Sequence, residues 1–206
     1  GGTTFTSAVS GTSLSMSASI AVSGNSNTFG SSTISGNLSV DGGTIKLDGN
    51  YPTGVENVAL GDTALDSVES GGQWNTAVGA KALTATTTGD ANSGFGRITL
   101  EANTTGAQNT AIGYAALNAN TTASNNVAVG YLAMLSNTTG TQNTADGAAA
   151  LDANTTANAN TALGYNALTA NTTGSDNNAI GWGALSANTT GNSNVALGAA
   201  TLDANT

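Results

Sequence analysis

Asn109-Thr-Ala-Ile-Gly113-Tyr-Ala-Ala-Leu117 is one copy of the pattern that decides how this chain folds. A glycine closes a short apolar string, an aliphatic residue follows four positions later, and Asn120-Thr-Thr makes a polar corner. Outward in both directions the same order of residue types returns, as in Asn126-Val-Ala-Val-Gly130, Asn160-Thr-Ala-Leu-Gly164 and Asn194-Val-Ala-Leu-Gly198. The glycines fall at positions 61, 79, 96, 113, 130, 147, 164, 181 and 198, a first step of 18 and then seven of 17. Leu or Met stands four residues beyond each, from Leu65 through Met134 to Leu202. The corner asparagines are Asn103, Asn120, Asn137, Asn154, Asn171 and Asn188.

A period this short is about half of a helical-hairpin unit, and its segments are too rich in Gly, Asn and Thr for helices. Strands remain, with Asn and Gly supplying positive-φ bends and polar side chains bonding the local backbone at the corner. The spacing predicts an all-β fold, a parallel β-solenoid or β-roll of about nine 17-residue coils, each with two short strands and two bends. Nine coils at the ordinary strand spacing stand about 43 Å tall.

Alternate residues of a strand face opposite ways, so the residue before each glycine points away from its predecessor. That predecessor is alanine in eight of nine coils, namely Ala59, Ala77, Ala111, Ala128, Ala145, Ala162, Ala179 and Ala196, with Gly94 the exception. The larger residues, such as Leu60, Ile112 and Leu163, are expected to line the interior. The alanine face is then the surface on which other chains close in. Because so thin a solenoid buries little surface alone, a homotrimer is the expected assembly. Asp146 stands at a larger-residue position, so this reading turns a carboxylate inward, where it needs water, a cation or a proton.

Composition narrows the functions. Only 7% of residues are charged, Lys+Arg number 3 against Asp+Glu 12, the net charge is −9, and Gly numbers 28. The absence of His and Cys excludes imidazole catalysis, thiol nucleophiles, disulfides and zinc-thiolate sites. Three cations argue against a nucleic-acid partner and against an anionic membrane surface. The apolar fraction, 38% and nearly half of it alanine, contains no run long enough to cross a bilayer, so no membrane insertion is expected. No carboxylate pair has the spacing of a glycosidase, and no Asp cluster resembles a calcium loop. The chain is therefore read as non-enzymatic, without a cofactor, and with Asp146 as its one candidate ion site.

The string NTAIGYAAL from Asn109 to Leu117, repeated in register over residues 57–206, resembles the head repeats of trimeric autotransporter adhesins. It is similar also to head-type repeats with a longer Asn-Thr-Thr-Gly corner in bacteriophage tail-fibre proteins. The resemblance implies a left-handed β-roll assembled as a homotrimer with the aliphatic residues of the motif inside. It departs from the adhesin pattern in coil length, at Gly94 and Phe95, and at Asp146. The implied role is a structural and adhesive one, in an extracellular virion tail fibre that positions or contacts a host cell-surface glycan or protein. A bacterial adhesin head, and a monomeric ice- or glycan-binding solenoid, are the alternatives.

Residues 1–54 read differently, as an N-terminal fibrous β-rich shaft segment ahead of the repeat region at 55–206, with the boundary at Tyr51-Pro52-Thr-Gly54. Apolar residues alternate from Phe5 to Ile20, and Ile34 to Leu47 reads as two strands around Asp41-Gly-Gly. The first residue is not Met and the last repeat stops in mid-pattern, which reads as a piece of a longer chain.

Candidate contacts are aromatic. Tyr114, Tyr131, Tyr165 and Trp182 each follow a repeat glycine and share one azimuth, suited either to stacking on sugar rings or to a packing ladder between coils or chains. Trp74 reads as the extra residue of the longer first step and is expected to bulge, sealing the first coils or offering an exposed contact. The Asn-Thr-Thr sequons and Asn37-Leu-Ser could accept glycans, but their fixed phase in the repeat favours turn chemistry.

Overall fold

The computed structural model describes residues 56–204. The shaft segment at 1–54 and its sequon at Asn37 lie outside the described residues. Nine three-residue strands run along the repeat: β1 Val58–Leu60, β2 Thr76–Val78, β3 Ser93–Phe95, β4 Thr110–Ile112, β5 Val127–Val129, β6 Thr144–Asp146, β7 Thr161–Leu163, β8 Asn178–Ile180 and β9 Val195–Leu197. Each pairs in parallel with the next, residue type on residue type, in a single sheet of order β1 to β9. The described residues thus form an all-β parallel solenoid of about eight turns, each turn one repeat long.

Only one of the two expected strands per coil forms. After the glycine the chain enters a run of turns in which alternate residues take positive φ, for example Ala115 at 55° and Leu117 at 51°. A third such residue precedes the strand asparagine, for example Gln108 at 59°. The left-handed region costs an L-residue about 1–2 kcal/mol. Each of these residues aims its N–H along the solenoid axis at the neighbouring coil. Ala115 donates to the Arg97 carbonyl at 3.1 Å, Leu117 to that of Ala133 at 3.0 Å, and Gln108 to that of Asp90 at 2.9 Å. The strain is offset by these bonds and, at Leu117, by complete burial of the side chain.

The repeat glycine has its own reason. Gly113 sits at φ 125°, and a Cβ on it would lie 2.5 Å from the carbonyl oxygen of Gly130 in the next coil. Only a residue without Cβ lets the coils approach this closely.

The core is a stack of columns one side chain wide. Leu65, Leu83, Leu100, Leu117, Met134, Leu151, Leu168 and Leu185 form one fully buried column. The strand alanines form another, which reverses the expected facing of the strand. Ala77, Ala111, Ala128, Ala145, Ala162 and Ala179 have no exposed surface, Ala196 almost none, and Ala59 in the first coil packs on the core half-buried. The larger residues before the glycine point outward. The leucine column already fills the narrow interior, and what remains admits a methyl group and nothing larger.

Gly94, the break in the alanine column, is explained by the same lack of room. A Cβ there would run into Leu83 Cδ1 and lie 2.9 Å from Thr99 Oγ1. Thr99 occupies a column that is otherwise alanine from Ala82 to Ala184, so the methyl missing at Gly94 makes space for the larger side chain at Thr99.

The interior is also polar. In the strand asparagine column, the Asn126 N–H donates to Asn109 Oδ1 at 3.0 Å, and Asn109 Nδ2 donates to the Ala123 carbonyl at 2.9 Å. In the corner column, Asn120 Nδ2 donates to the same Ala123 carbonyl at 3.0 Å and to Asn103 Oδ1 at 2.8 Å. From Asn103 onward both ladders therefore converge on one carbonyl per coil and use its two lone pairs. Among the described residues no buried side-chain nitrogen or oxygen lacks a partner, which is what makes so polar a core stable.

Candidate functional site

With the alanines inside, the surface open to other molecules is the outer face of the sheet. It carries two columns, the first and third strand residues. In the third, Leu60, Phe95, Ile112, Leu163 and Ile180 are each between 39% and 45% exposed. The strand register sets these residues one above another, Ile112 on Val129 and Leu163 on Ile180. Of the expected interface alanines, Ala77, Ala111, Ala128, Ala145, Ala162, Ala179 and Ala196 lie in the interior with almost no surface for another chain to touch, and Ala59, in the first coil, is half-buried. The outward aliphatic column is the residue set that sequence reasoning misses. A signal for it is present: the alanine position is nearly uniform in size, whereas its neighbour ranges from Val to Phe to Asp. A tight interior demands uniform volume and a surface does not.

Asp146 belongs to the outward column and is exposed, so its expected inward placement is corrected. Among the described residues no group of three or more His, Cys, Asp or Glu is placed to hold a metal ion.

The aromatic column behaves as a ladder over part of its length. Tyr114 and Tyr131, one coil apart, stack with ring centroids 5.5 Å apart and planes 16° from parallel. Arg97 in the coil before covers the outer side of the stack, its guanidinium carbon 5.9 Å from the Tyr114 centroid. Rings stacked along the axis spend their faces on each other, which leaves mainly edges for a sugar. Tyr165 and Trp182 stand farther along the same column and are more than half exposed.

Trp74 is exposed, and its Nε1 donates to Glu56 Oε2 at 2.8 Å. It is not the inserted residue. It takes positive φ in the same column as Ala91 of the next coil, and the extra residue is absorbed at the preceding corner, where the Gly72 N–H turns back on the Glu69 carbonyl at 3.0 Å.

The sequon asparagines, from Asn103 to Asn188, are buried, and their side-chain amides are bonded inside the corner, which supports the turn reading. The threonine that follows each of the first five spends its hydroxyl on the next coil, as Thr104 Oγ1 does on the Thr121 carbonyl at 3.0 Å. The second threonine of each sequon corner, from Thr105 to Thr190, is exposed. Among the described residues no helix is long and apolar enough to cross a membrane.

Comparison with protein-family models, with curated proteins and with solved structures finds no match for this chain.

Proposed function

We propose that this chain is a structural and adhesive fibre protein of the phage tail-fibre kind. In this reading it assembles as a homotrimer outside the cell and positions or makes contact with a host-surface glycan or protein. The observation that carries the reading is the outward apolar column running the height of the solenoid. Nine rungs about 4.8 Å apart make it about 43 Å tall, with Asp146 the one charged break in an otherwise apolar line. An exposed apolar column of that length marks an interaction surface, and three copies about a common axis bring three such columns together.

A second copy is the partner that fits, because its own ladder repeats at the same spacing. The face is nearly free of charge, Asp146 being the single ionisable group in any of the nine strands. A rod of stacked coils resists bending and presents weak contacts several at a time, which suits multivalent attachment. The test is negative-stain electron microscopy of the purified protein, with fluorescently labelled protein applied to a panel of bacterial cells. Rods that bind some strains and not others support the reading; compact particles that bind none overturn it.

A further inference from the structure

The stacked glycines set Tyr114, Tyr131, Ala148, Tyr165 and Trp182 in one column, a residue per coil. Tyr114 and Tyr131 show that consecutive rings stack in it. Ala148 removes one rung, so Tyr131 and Tyr165 are two coils apart, roughly 10 Å by strand spacing. That gap admits one layer of a guest. At the same level the outward strand column changes character, because Asp146 stands between Val129 and Leu163. Among the described residues no cation neutralises it. Lys81 is paired with Glu101 at 3.6 Å, and Arg97 lies against Tyr114.

We infer that this missing rung is a binding notch for an alkylammonium group, with Tyr131 and Tyr165 above and below, Ala148 as its floor and Asp146 beside it. The aromatic walls present electron-rich faces, and the carboxylate is an acceptor without donors. A sugar requires donors as well as acceptors from its site. A cation sheathed in CH₂ or CH₃ groups requires only acceptors and π faces, and those are what the notch supplies. The chain's charge of −9 draws such a guest from a distance. Two sources carry this chemistry, a choline-type headgroup and the lysine side chain of a protein. The inference is drawn for a single chain; Asp146 belongs to the column that the proposed trimer uses, so in the trimer the notch requires this one rung to stay open to solvent.

The test is an NMR titration of the full 206-residue chain, reading the Tyr ring protons, with choline chloride, Nα-acetyl-lysine methylamide and methyl glucoside as probes. One or both cations shift the Tyr131 and Tyr165 signals, and which of them does so names the source. Ala148→Tyr, which restores the rung on an outward position, weakens the cation at least tenfold, and Asp146→Asn weakens it severalfold. Circular dichroism checks that both variants are folded. Failure of both cations to move these rings, a response to methyl glucoside alone, or undiminished binding by Ala148→Tyr overturns the notch. Light scattering on the same samples separates the two readings: a monomer that binds choline removes the trimer and leaves the notch, and a trimer that binds neither cation removes the notch alone.

Discussion

Gly113 and Gly106 are both repeat glycines, yet the structure asks different things of them. At Gly113 the backbone is at φ 125° and faces the backbone of Gly130. Gly106 has no such φ; a Cβ there would run into the Ala123 carbonyl oxygen and Asn103 Oδ1, yet its column elsewhere holds Ala123 and Ala157, both buried. Gly113→Ala is therefore expected to cost about 3 kcal/mol or more, from strain and clash together, and Gly106→Ala, which meets a clash without the strained φ, less. Denaturant titration of the two variants checks this, and equal losses would contradict it. The asparagine ladder makes a second claim at this scale. Asn126→Ala removes the bond to the Gly140 carbonyl and leaves the buried Asn143 N–H without its acceptor. The expected loss is about 2–4 kcal/mol, seen as a lowered melting temperature, and an unchanged midpoint would show that the ladder contributes nothing. The sequence marks these asparagines by their phase but does not place them inside, because Asn at a bend reads equally well as an exposed turn residue.

The solenoid coil is legible in the sequence as an element, and its cross-section is not. Period, parallel pairing and the roles of Gly113 and Leu117 follow from the order of residue types. A second strand is over-read, because an apolar segment such as Ala115-Ala116-Leu117 carries no mark of the alternating positive φ that inter-coil bonding imposes on it. Giving size precedence over uniformity inverts the facing of the strand. The same error draws Asp146 inward, and Trp74 passes for an insertion because the spacing alone does not say where in the longer first step the extra residue sits. The Gly94 and Thr99 pair gives this scale its test. Gly94→Ala is expected to destabilise by about 1–3 kcal/mol through overpacking. Adding Thr99→Ala, which recreates the alanine pair of the other coils, is expected to recover most of that loss. A double-mutant cycle by thermal denaturation reads the coupling, and strict additivity would mean that the two sites do not share the space.

For the whole molecule the question is what covers the outer face of the sheet. A core one side chain wide leaves the aliphatic column from Leu60 to Leu197 open, and a monomeric rod would hold that surface in water. Substitution separates the two faces of the strand. Ala128→Arg places a charged chain where the interior admits a methyl, so it is expected to unfold its coil and not merely to dissociate chains, with loss of the β signal in circular dichroism. Ile112→Asp and Leu163→Asp sit outward and are expected to leave the coil intact. Light scattering of the wild type and of the Ile112→Asp, Leu163→Asp double variant, each with its circular dichroism spectrum, is the most direct test. The wild type is predicted to have three times the 19.8 kDa chain mass, and the double variant to be a folded monomer. A monomeric wild type, or a double variant that remains trimeric, would contradict the account.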